Sequence, residues 1–230
     1  FYQNEITDQV WTKLQEPLPA NIKKTLFSTF SSVGYTDKSL QRLYDIWTKN
    51  IKIDDLKLND DDYTELAINL ALYGHPDSEN ILVTAEKSIS NQDKLNRFRY
   101  LLPSLSNDLQ TKNDFFKSLS KEENRAKESW VANAMNNLNH PLHQQESIDY
   151  LRTSLDLLDE IQKTGDIFFP KRWLSSTIGN YTSKEAYDIL QTFLNENPDL
   201  NPSLKSKVLQ ASDDLRRVQI SQKPLDTSVN

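Results

Sequence analysis

The sequence predicts an all-α protein, and three observations carry this prediction. Glycine occurs four times in 230 residues, which disfavours the turn-rich chain of a β fold. Apolar residues recur at spacings of three and four, as on the buried face of a helix. The intervening segments are short and contain Asn, Asp, Ser or Pro. No repeat with a fixed consensus is present, so the predicted architecture is an α-α superhelix of antiparallel helical hairpins, a HEAT- or armadillo-like solenoid.

About twelve helices are predicted from the apolar stripes and their polar ends. The third is the clearest, with an apolar stripe over residues 40–47 and with Thr36 or Asp37 available as its cap. The fourth begins with the aspartates at 60–62, because carboxylates favour the positive end of a helix dipole. The predicted ranges are about 4–15, 20–33, 37–50, 60–73, 77–89, 92–105, 107–119, 121–138, 144–163, 170–179, 183–196 and 201–221.

Composition limits the size and the partners of the chain. A chain of 230 residues fits one sizeable domain or two small ones, and we predict a single domain over residues 1–220 with a flexible tail at 221–230. The net charge of −6 and the scattered Lys and Arg residues predict no nucleic-acid partner. No apolar run approaches the roughly 20 residues of a membrane helix. Cysteine is absent, which excludes thiol catalysis.

The segment at 160–174 reads as the end of one helix and the start of the next. Gly165 is predicted to adopt the left-handed conformation that often follows a helix, and Pro170 suits a first helical turn. Phe168 or Phe169 is a candidate hydrophobic staple at that helix start. Core packing is predicted for the aromatic residues on helical stripes and at helix starts, namely Phe98, Tyr100, Phe115, Phe116, Trp130, Phe168, Phe169, Trp173 and Phe193.

Lys171 and Arg172 follow this proline in the first turn of the helix, where cations oppose the helix dipole. The local conflict indicates a role in binding a carboxylate or another domain, and the plain alternative is two solvated cations. Other arginines are interpreted as members of surface ion pairs, each of which contributes little stability. These are Arg97, Arg99 and Arg125, the last with Glu122, Glu123 and Glu128.

The titratable residues form no recognisable catalytic or metal-binding pattern. None of the three histidines belongs to a His-Glu-x-x-His motif, and Pro141 separates His140 from His143 in what reads as a turn leading into a helix. The aspartates at 60–62 lack the spacing and the glycine of a calcium loop. No Gly-x-Ser-x-Gly elbow occurs. The sequence therefore predicts no catalytic residue and no metal ligand.

One segment of the sequence resembles the C-terminal helical domain of M1-family zinc aminopeptidases of the Bacteroidetes type. It reads Glu160-Ile-Gln-Lys-Thr-Gly-Asp-Ile-Phe-Phe-Pro-Lys-Arg-Trp-Leu174. Further blocks resemble that domain in the same order and cover most of the chain. They lie at 40–47 (LQRLYDIW), 62–71 (DYTELAINLA), 97–106 (RFRYLLPSLS), 113–119 (NDFFKSL), 123–131 (ENRAKESWV), 139–142 (NHPL) and 205–215 (KSKVLQASDDL). One departure is visible, because His143 stands where the family pattern has arginine, and this puts in doubt a carboxylate contact there.

The resemblance implies a non-catalytic C-terminal domain that covers the catalytic domain of a longer enzyme and shapes its peptide chamber. It places zinc in the parent catalytic domain and none here, because the family's His-Glu-x-x-His and Gly-x-Met-Glu-Asn motifs are absent from these residues. The implied partners are the chain's own catalytic domain and peptide substrates. The candidate residues for substrate or domain-interface binding are Lys171 and Arg172, followed by Arg97 and His143.

Two further hypotheses belong to other classes. A stand-alone helical-repeat scaffold would bind a peptide or a protein along its groove, and this would suit a shortened relic of the enzyme. An independent hydrolase ranks lowest, because no catalytic set is present. The family's habits favour a periplasmic or cell-surface parent enzyme, while the sequence itself assigns no compartment.

Overall fold

The computed structural model describes residues 2–221, and this part of the chain is all-helical. It is 76% helix, with fourteen α-helices and no strand among the described residues. The all-α prediction is therefore confirmed. The chain divides into two compact units, the first ending at Asn107 and the second beginning at Asp108. Each unit is described by itself below.

The first unit is built around α4, which packs against α2, α3 and α5. A capping box closes the start of α4, in which the Asn59 side chain accepts from the Asp62 amide and Asp62 accepts from the Asn59 amide. The predicted role of the three aspartates in starting a helix is thus confirmed. The helices are α1 (Tyr2–Gln15), α2 (Ala20–Val33), α3 (Asp37–Trp47), α4 (Asp60–Leu72), α5 (Ser78–Ser88) and α6 (Gln92–Leu101), followed by the 3-10 turn Leu102–Leu105.

The second unit is built around a short helix, α11, which packs against α8, α10 and α13. Its helices are α7 (Leu109–Ser118), α8 (Glu128–Leu138), α9 (Gln144–Asp156), α10 (Leu158–Thr164), α11 (Phe169–Ser175), α12 (Lys184–Glu196), α13 (Pro202–Ala211) and α14 (Asp213–Ser221). Three 3-10 turns, Glu122–Arg125, Pro141–His143 and Ile178–Asn180, connect them. The helix α11 buries Phe169, Pro170, Trp173 and Leu174, so the segment that carries the resemblance forms the centre of this unit.

The predicted helices 92–105 and 121–138 are each part α-helix and part 3-10 turn, and two other long helices of the sequence prediction, 144–163 and 201–221, are each broken into two α-helices. The indole of Trp173 donates to the carbonyl oxygen of Ser154 at 2.9 Å, and α9 ends two residues later. A tertiary contact thus takes a carbonyl that a continuous helix would use for its own ladder. The second break is at Ser212, whose hydroxyl donates to the Val208 carbonyl at 2.8 Å, a contact that bends helices.

Three other predictions concern larger features. The single superhelical domain over 1–220 stays a prediction. The flexible tail at 221–230 lies, apart from Ser221, outside the described residues. Among residues 2–221, no helix is both long enough and apolar enough to cross a membrane.

Candidate binding site

The turn between α10 and α11 begins with Gly165, whose role differs from the prediction. Its φ of −92° and ψ of 172° are extended rather than left-handed, so that prediction was wrong. A Cβ atom at this position would lie 2.5 Å from Cδ1 of Phe169 and 2.9 Å from the carbonyl oxygen of Ile161. Glycine is therefore needed because the buried Phe169 ring approaches the backbone closely.

Three charged side chains fix the rest of this turn, and we call Glu128, Asp166 and Arg172 the clamp. The Asp166 amide donates to Glu128 Oε1 at 2.7 Å, and the Phe168 amide donates to Asp166 Oδ1 at 2.7 Å. Nη2 of Arg172 donates to Glu128 Oε2 at 2.6 Å and to Asp166 Oδ2 at 2.7 Å. The clamp therefore ties α8, the turn and α11 together through charge-assisted hydrogen bonds.

The clamp also sets the ionisation of Asp166. Burial acts to raise the pKa of this carboxyl, but hydrogen bonds from the Phe168 amide and from Arg172 outweigh it and hold the pKa below its ordinary value. The same contacts explain why Arg172 tolerates the first turns of a helix, since two carboxylates balance its charge. Sequence reasoning missed Glu128 because it lies 38 residues from Asp166 and 44 residues from Arg172. Asp166 lies only six residues before Arg172, so that partner was within reach of a local search and was overlooked.

Lys171 differs from its neighbour. It is exposed, and its ammonium group makes no hydrogen bond or ion pair to any of the residues 2–221. Ile167 and Phe168 precede it with 74% and 63% of their surface exposed, so the predicted burial of Phe168 was wrong. The staple role falls for Phe168, because an exposed ring does not pack across the helix start, whereas for the buried Phe169 it stays a prediction. We call Ile167, Phe168 and Lys171 the exposed triad.

Helical spacing in this segment separates buried from exposed positions, and the prediction that every aromatic residue packs in the core ignored this signal. Phe169, Pro170, Trp173 and Leu174 follow the one, three, one spacing of a buried helix face, and all four are buried. Lys171 lies three residues after Phe168 and four after Ile167, and all three side chains are exposed. Two large exposed apolar side chains therefore precede, in the turn, a cation that pairs with no described residue.

Arg125 lies behind the same turn and is buried, with 3% of its surface exposed. Its guanidinium donates to the Leu119 carbonyl oxygen and to Glu160 Oε1, both at 2.5 Å, and to Thr164 Oγ1 at 3.3 Å. The predicted surface pairing of Arg125 with the nearby glutamates was therefore wrong. Its partner Glu160 lies 35 residues along the chain, which local spacing does not reveal.

A surface depression of about 710 Å³ lies beside Arg125 and the turn. Gly165, Phe169 and Thr164 line one part of it, and Lys121, Glu122 and Glu123 line another. The carboxylates of Glu122 and Glu123 are exposed and make no ion pair with the part of the chain that the structure describes. The depression therefore has a lining of mixed polarity, in which the carboxylates of Glu122 and Glu123 lie beside Lys121 and are free to meet a cationic group.

The other two predicted site residues lie elsewhere. Arg97, in the first unit, donates to Glu65 Oε1 at 3.1 Å and lines a depression of about 400 Å³. His143, in the second unit, lies with Nδ1 3.9 Å from Glu146 Oε2 and lines a separate depression of about 600 Å³. Lys171 and Arg172 are neighbours in the chain, and neither lines the depression that contains His143. The binding roles of all four residues stay predictions.

His140 provides a test of the electrostatics near His143. Its pKa is lowered to about 4, chiefly by burial and secondly by the charge of His143. In the unfolded state the histidine pKa is about 6.5, so between pH 4 and pH 6.5 the unfolded state binds more protons than the folded state. The contribution of neutral His140 to the free energy of unfolding is fully present above about pH 6.5 and is lost as the pH falls towards 4.

We therefore expect His140→Asn to lose less stability on acidification than the unchanged chain. Asparagine keeps an acceptor for the Leu142 amide, which now donates to His140 Nδ1 at 3.3 Å, and it removes the titrating group. Thermal unfolding at about pH 7.5 and about pH 5 gives the comparison. An equal fall in melting temperature for both proteins would show that His140 does not carry this part of the pH dependence.

No protein-family model matches this chain, and no curated protein matches it. The resemblance to M1 aminopeptidases therefore stays a prediction that rests on the quoted sequence blocks. In the described residues, no group of three or more His, Asp or Glu side chains is placed to hold a metal ion.

Proposed function

We propose that the chain is the C-terminal domain of an M1-type zinc aminopeptidase, covering the catalytic domain and shaping its peptide chamber without a catalytic role of its own. In this proposal the helices form an α-α superhelix of antiparallel hairpins, and zinc belongs to the parent catalytic domain. Consecutive helices such as α1 with α2 and α4 with α5 pack against each other across short connections, which suits a hairpin architecture.

The observation that carries this proposal is that the segment at 165–174 contains some residues with contacts inside the unit and others without them. Gly165, Asp166, Phe169, Arg172 and Trp173 each have a contact inside the unit that accounts for the residue type. Among residues 2–221, the three side chains of the exposed triad have no such contact. An apolar pair of this exposure on a fixed turn is typical of a surface that another protein part covers.

This contrast supports the domain hypothesis because the same segment has the most specific resemblance to the C-terminal domain of the family. In the family such a domain closes over the active site, where closure excludes water and positions the peptide. Lys171 would then contact the catalytic domain or the peptide. Arg172 would act through the clamp by holding the turn in place.

The alternative function, a helical scaffold that binds a peptide or a protein, has one observation in its favour. The depression beside Arg125 is lined in part by the carboxylates of Glu122 and Glu123, which pair with no residue of the described part of the chain. A cationic segment of a partner would suit that lining, and charge complementarity of this kind favours specificity and fast association. The domain hypothesis ranks first because it also accounts for the exposed apolar pair.

Activity measurements test the proposal. The purified chain is expected not to hydrolyse an amino-acid anilide and not to retain stoichiometric zinc, because the chemistry belongs to the missing catalytic domain. The parent enzyme, assayed in parallel, is expected to do both. Hydrolysis of the anilide by the purified chain, if the activity stays with the chain through purification and depends on a bound metal, would contradict the proposal and favour an independent hydrolase.

A further inference from the structure

Each of the two units contains a turn in which a histidine precedes a proline, and the two turns have the same hydrogen bonds. His75 Nδ1 accepts from the Asp77 amide at 3.1 Å, and His140 Nδ1 accepts from the Leu142 amide at 3.3 Å. The carbonyl oxygens of the two histidines accept from the amides three residues later, at 3.0 and 2.8 Å respectively. The first turn leads into α5 and the second into α9.

The proline explains why these turns need an acceptor on the side chain. Pro76 and Pro141 have no backbone N–H group, so the first amide to be satisfied after each histidine belongs to the residue that follows the proline. Proline also favours an extended backbone in the preceding residue, and His140 has a φ of −59° and a ψ of 141°. From this conformation the side chain reaches the amide two residues later, as at a helix N-cap.

These hydrogen bonds determine the protonation state of each imidazole. An amide N–H group can donate to Nδ1 only when that nitrogen atom has no proton, so the proton of the neutral ring lies on Nε2. Protonation of Nδ1 would place two hydrogen atoms between the same two nitrogen atoms and abolish the hydrogen bond. Both turns are therefore complete only when the histidine is neutral.

Another turn of the chain shows that this hydrogen bond does not require histidine. Asn201 precedes Pro202 at the start of α13, and its Oδ1 accepts from the Ser203 amide at 2.9 Å. The acceptor here is an amide oxygen, which does not take up a proton at ordinary pH. The same contact is thus made by a titrating acceptor at His75 and His140 and by a non-titrating acceptor at Asn201.

We propose that the two His-Pro turns form an acid-sensitive device, in which protonation of His75 and His140 loosens the starts of α5 and α9. The turn at Asn201 stays closed under the same conditions. This inference is independent of the proposed function, because it concerns contacts within each unit.

The surroundings of His75 favour its neutral form in the closed turn. Burial lowers the pKa of this imidazole, and the nearby carboxylate of Asp77 acts in the opposite direction. From α3, the ring of Tyr44 stacks on His75 with the two ring centroids 4.4 Å apart. The Asp77 carboxylate itself accepts from the Asn80 side chain at 2.6 Å.

The surroundings of His140 have the same effect and allow an estimate of its size. Burial, and secondly the charge of His143, lower the pKa of His140 to about 4. Glu146 of α9 faces His143, with Oε2 3.9 Å from Nδ1. An opened turn in which the histidine pKa is about 6.5 binds a proton more readily, so acid favours opening. Between about pH 7.5 and about pH 5, the opening equilibrium at His140 should rise about thirtyfold.

Hydrogen exchange of single amides in the 230-residue chain, followed by NMR at about pH 7.5 and about pH 5, tests the proposal. Rates are corrected for the intrinsic pH dependence of exchange. The protection of the Leu142 amide is then expected to fall about thirtyfold at the lower pH. The protection of the Asp77 amide is expected to fall as well, and that of the Ser203 amide is expected to stay unchanged.

His75→Asn and His140→Asn are the matched variants, since Asn201 shows that asparagine supplies the acceptor in such a turn. Each variant is expected to keep the protection of its own turn at about pH 5 and to leave the other turn sensitive to acid. The imidazole nitrogen chemical shifts of the unchanged chain give a second measurement that needs no substitution. At about pH 7.5 both rings are expected to have their proton on Nε2.

Three results would overturn the proposal. The first is unchanged protection of the Asp77 and Leu142 amides at the lower pH. The second is an equal loss at Ser203 or in the asparagine variants, which would indicate general unfolding in acid. The third is a neutral imidazole with its proton on Nδ1 at His75 or His140, because that ring could not accept from the backbone amide.

Discussion

Replacing Arg125 with alanine is expected to lower the free energy of unfolding of the second unit by about 2–3 kcal/mol. Arg125 is 3% exposed, and its guanidinium group joins the end of α7 to α10 through the Leu119 carbonyl oxygen and the Glu160 carboxylate. Truncation leaves the Leu119 carbonyl oxygen without this donor and opens a cavity in the interior. The Glu160 carboxylate is 43% exposed and can be hydrated, so the loss of its partner adds little.

Arg217→Ala is the matched control for this prediction. Arg217 pairs with Asp213 at 2.7 Å in the same unit, but its side chain is 74% exposed. An exposed pair of this type contributes about 0–1 kcal/mol. Arg125→Lys should give an intermediate loss, because an ammonium group keeps the charge but does not reproduce the fork of a guanidinium. Urea unfolding followed by circular dichroism measures all three, and equal losses for Arg125→Ala and Arg217→Ala would refute the role of Arg125.

The second large effect is expected from Gly165→Ala, with a loss of about 2–3 kcal/mol. The added Cβ would lie 2.5 Å from Cδ1 and 3.0 Å from Cβ of Phe169, and 2.9 Å from the Ile161 carbonyl oxygen. Phe169 is 1% exposed at the centre of the unit, so its ring has no room to retreat. The backbone of the turn must shift instead, and the clamp opposes that shift.

Gly179→Ala separates this steric effect from the general effect of replacing glycine. A Cβ at position 179 would meet its nearest atoms, two carbonyl oxygens, at 3.6 Å, which is an ordinary contact. This variant is expected to be as stable as the unchanged chain or slightly more stable, because alanine restricts the unfolded state. The same urea experiment compares the two. If Gly165→Ala unfolds at the same urea concentration as Gly179→Ala, the close approach of Phe169 does not matter for stability.

Much of the helical structure was predictable because its causes are local. Periodic apolar stripes mark the helices, and the aspartates that follow Asn59 mark the start of α4. The break between α9 and α10 was not predictable, since it coincides with a hydrogen bond from Trp173, 19 residues away from Ser154. Boundaries set by tertiary contacts of this kind leave no local pattern in the sequence.

The candidate site shows the same limit. Lys171 was singled out from a local conflict with the helix dipole, and the structure leaves it unpaired within residues 2–221. Arg172 showed the same conflict, but Glu128 resolves it from 44 residues away. Phe168 was misassigned because an aromatic residue at a helix start usually packs inward. The buried positions of α11, from Phe169 to Leu174, follow a helical spacing that does not include Phe168.

The central claim is that this chain is one domain of a larger enzyme, and the size of the native protein tests it most directly. An immunoblot of the source cells with an antibody against these 230 residues gives that size. The account predicts a band several times larger than 26.7 kDa, with a zinc-binding His-Glu-x-x-His motif encoded upstream. A single band near 26.7 kDa would contradict it and make the helical scaffold the leading function.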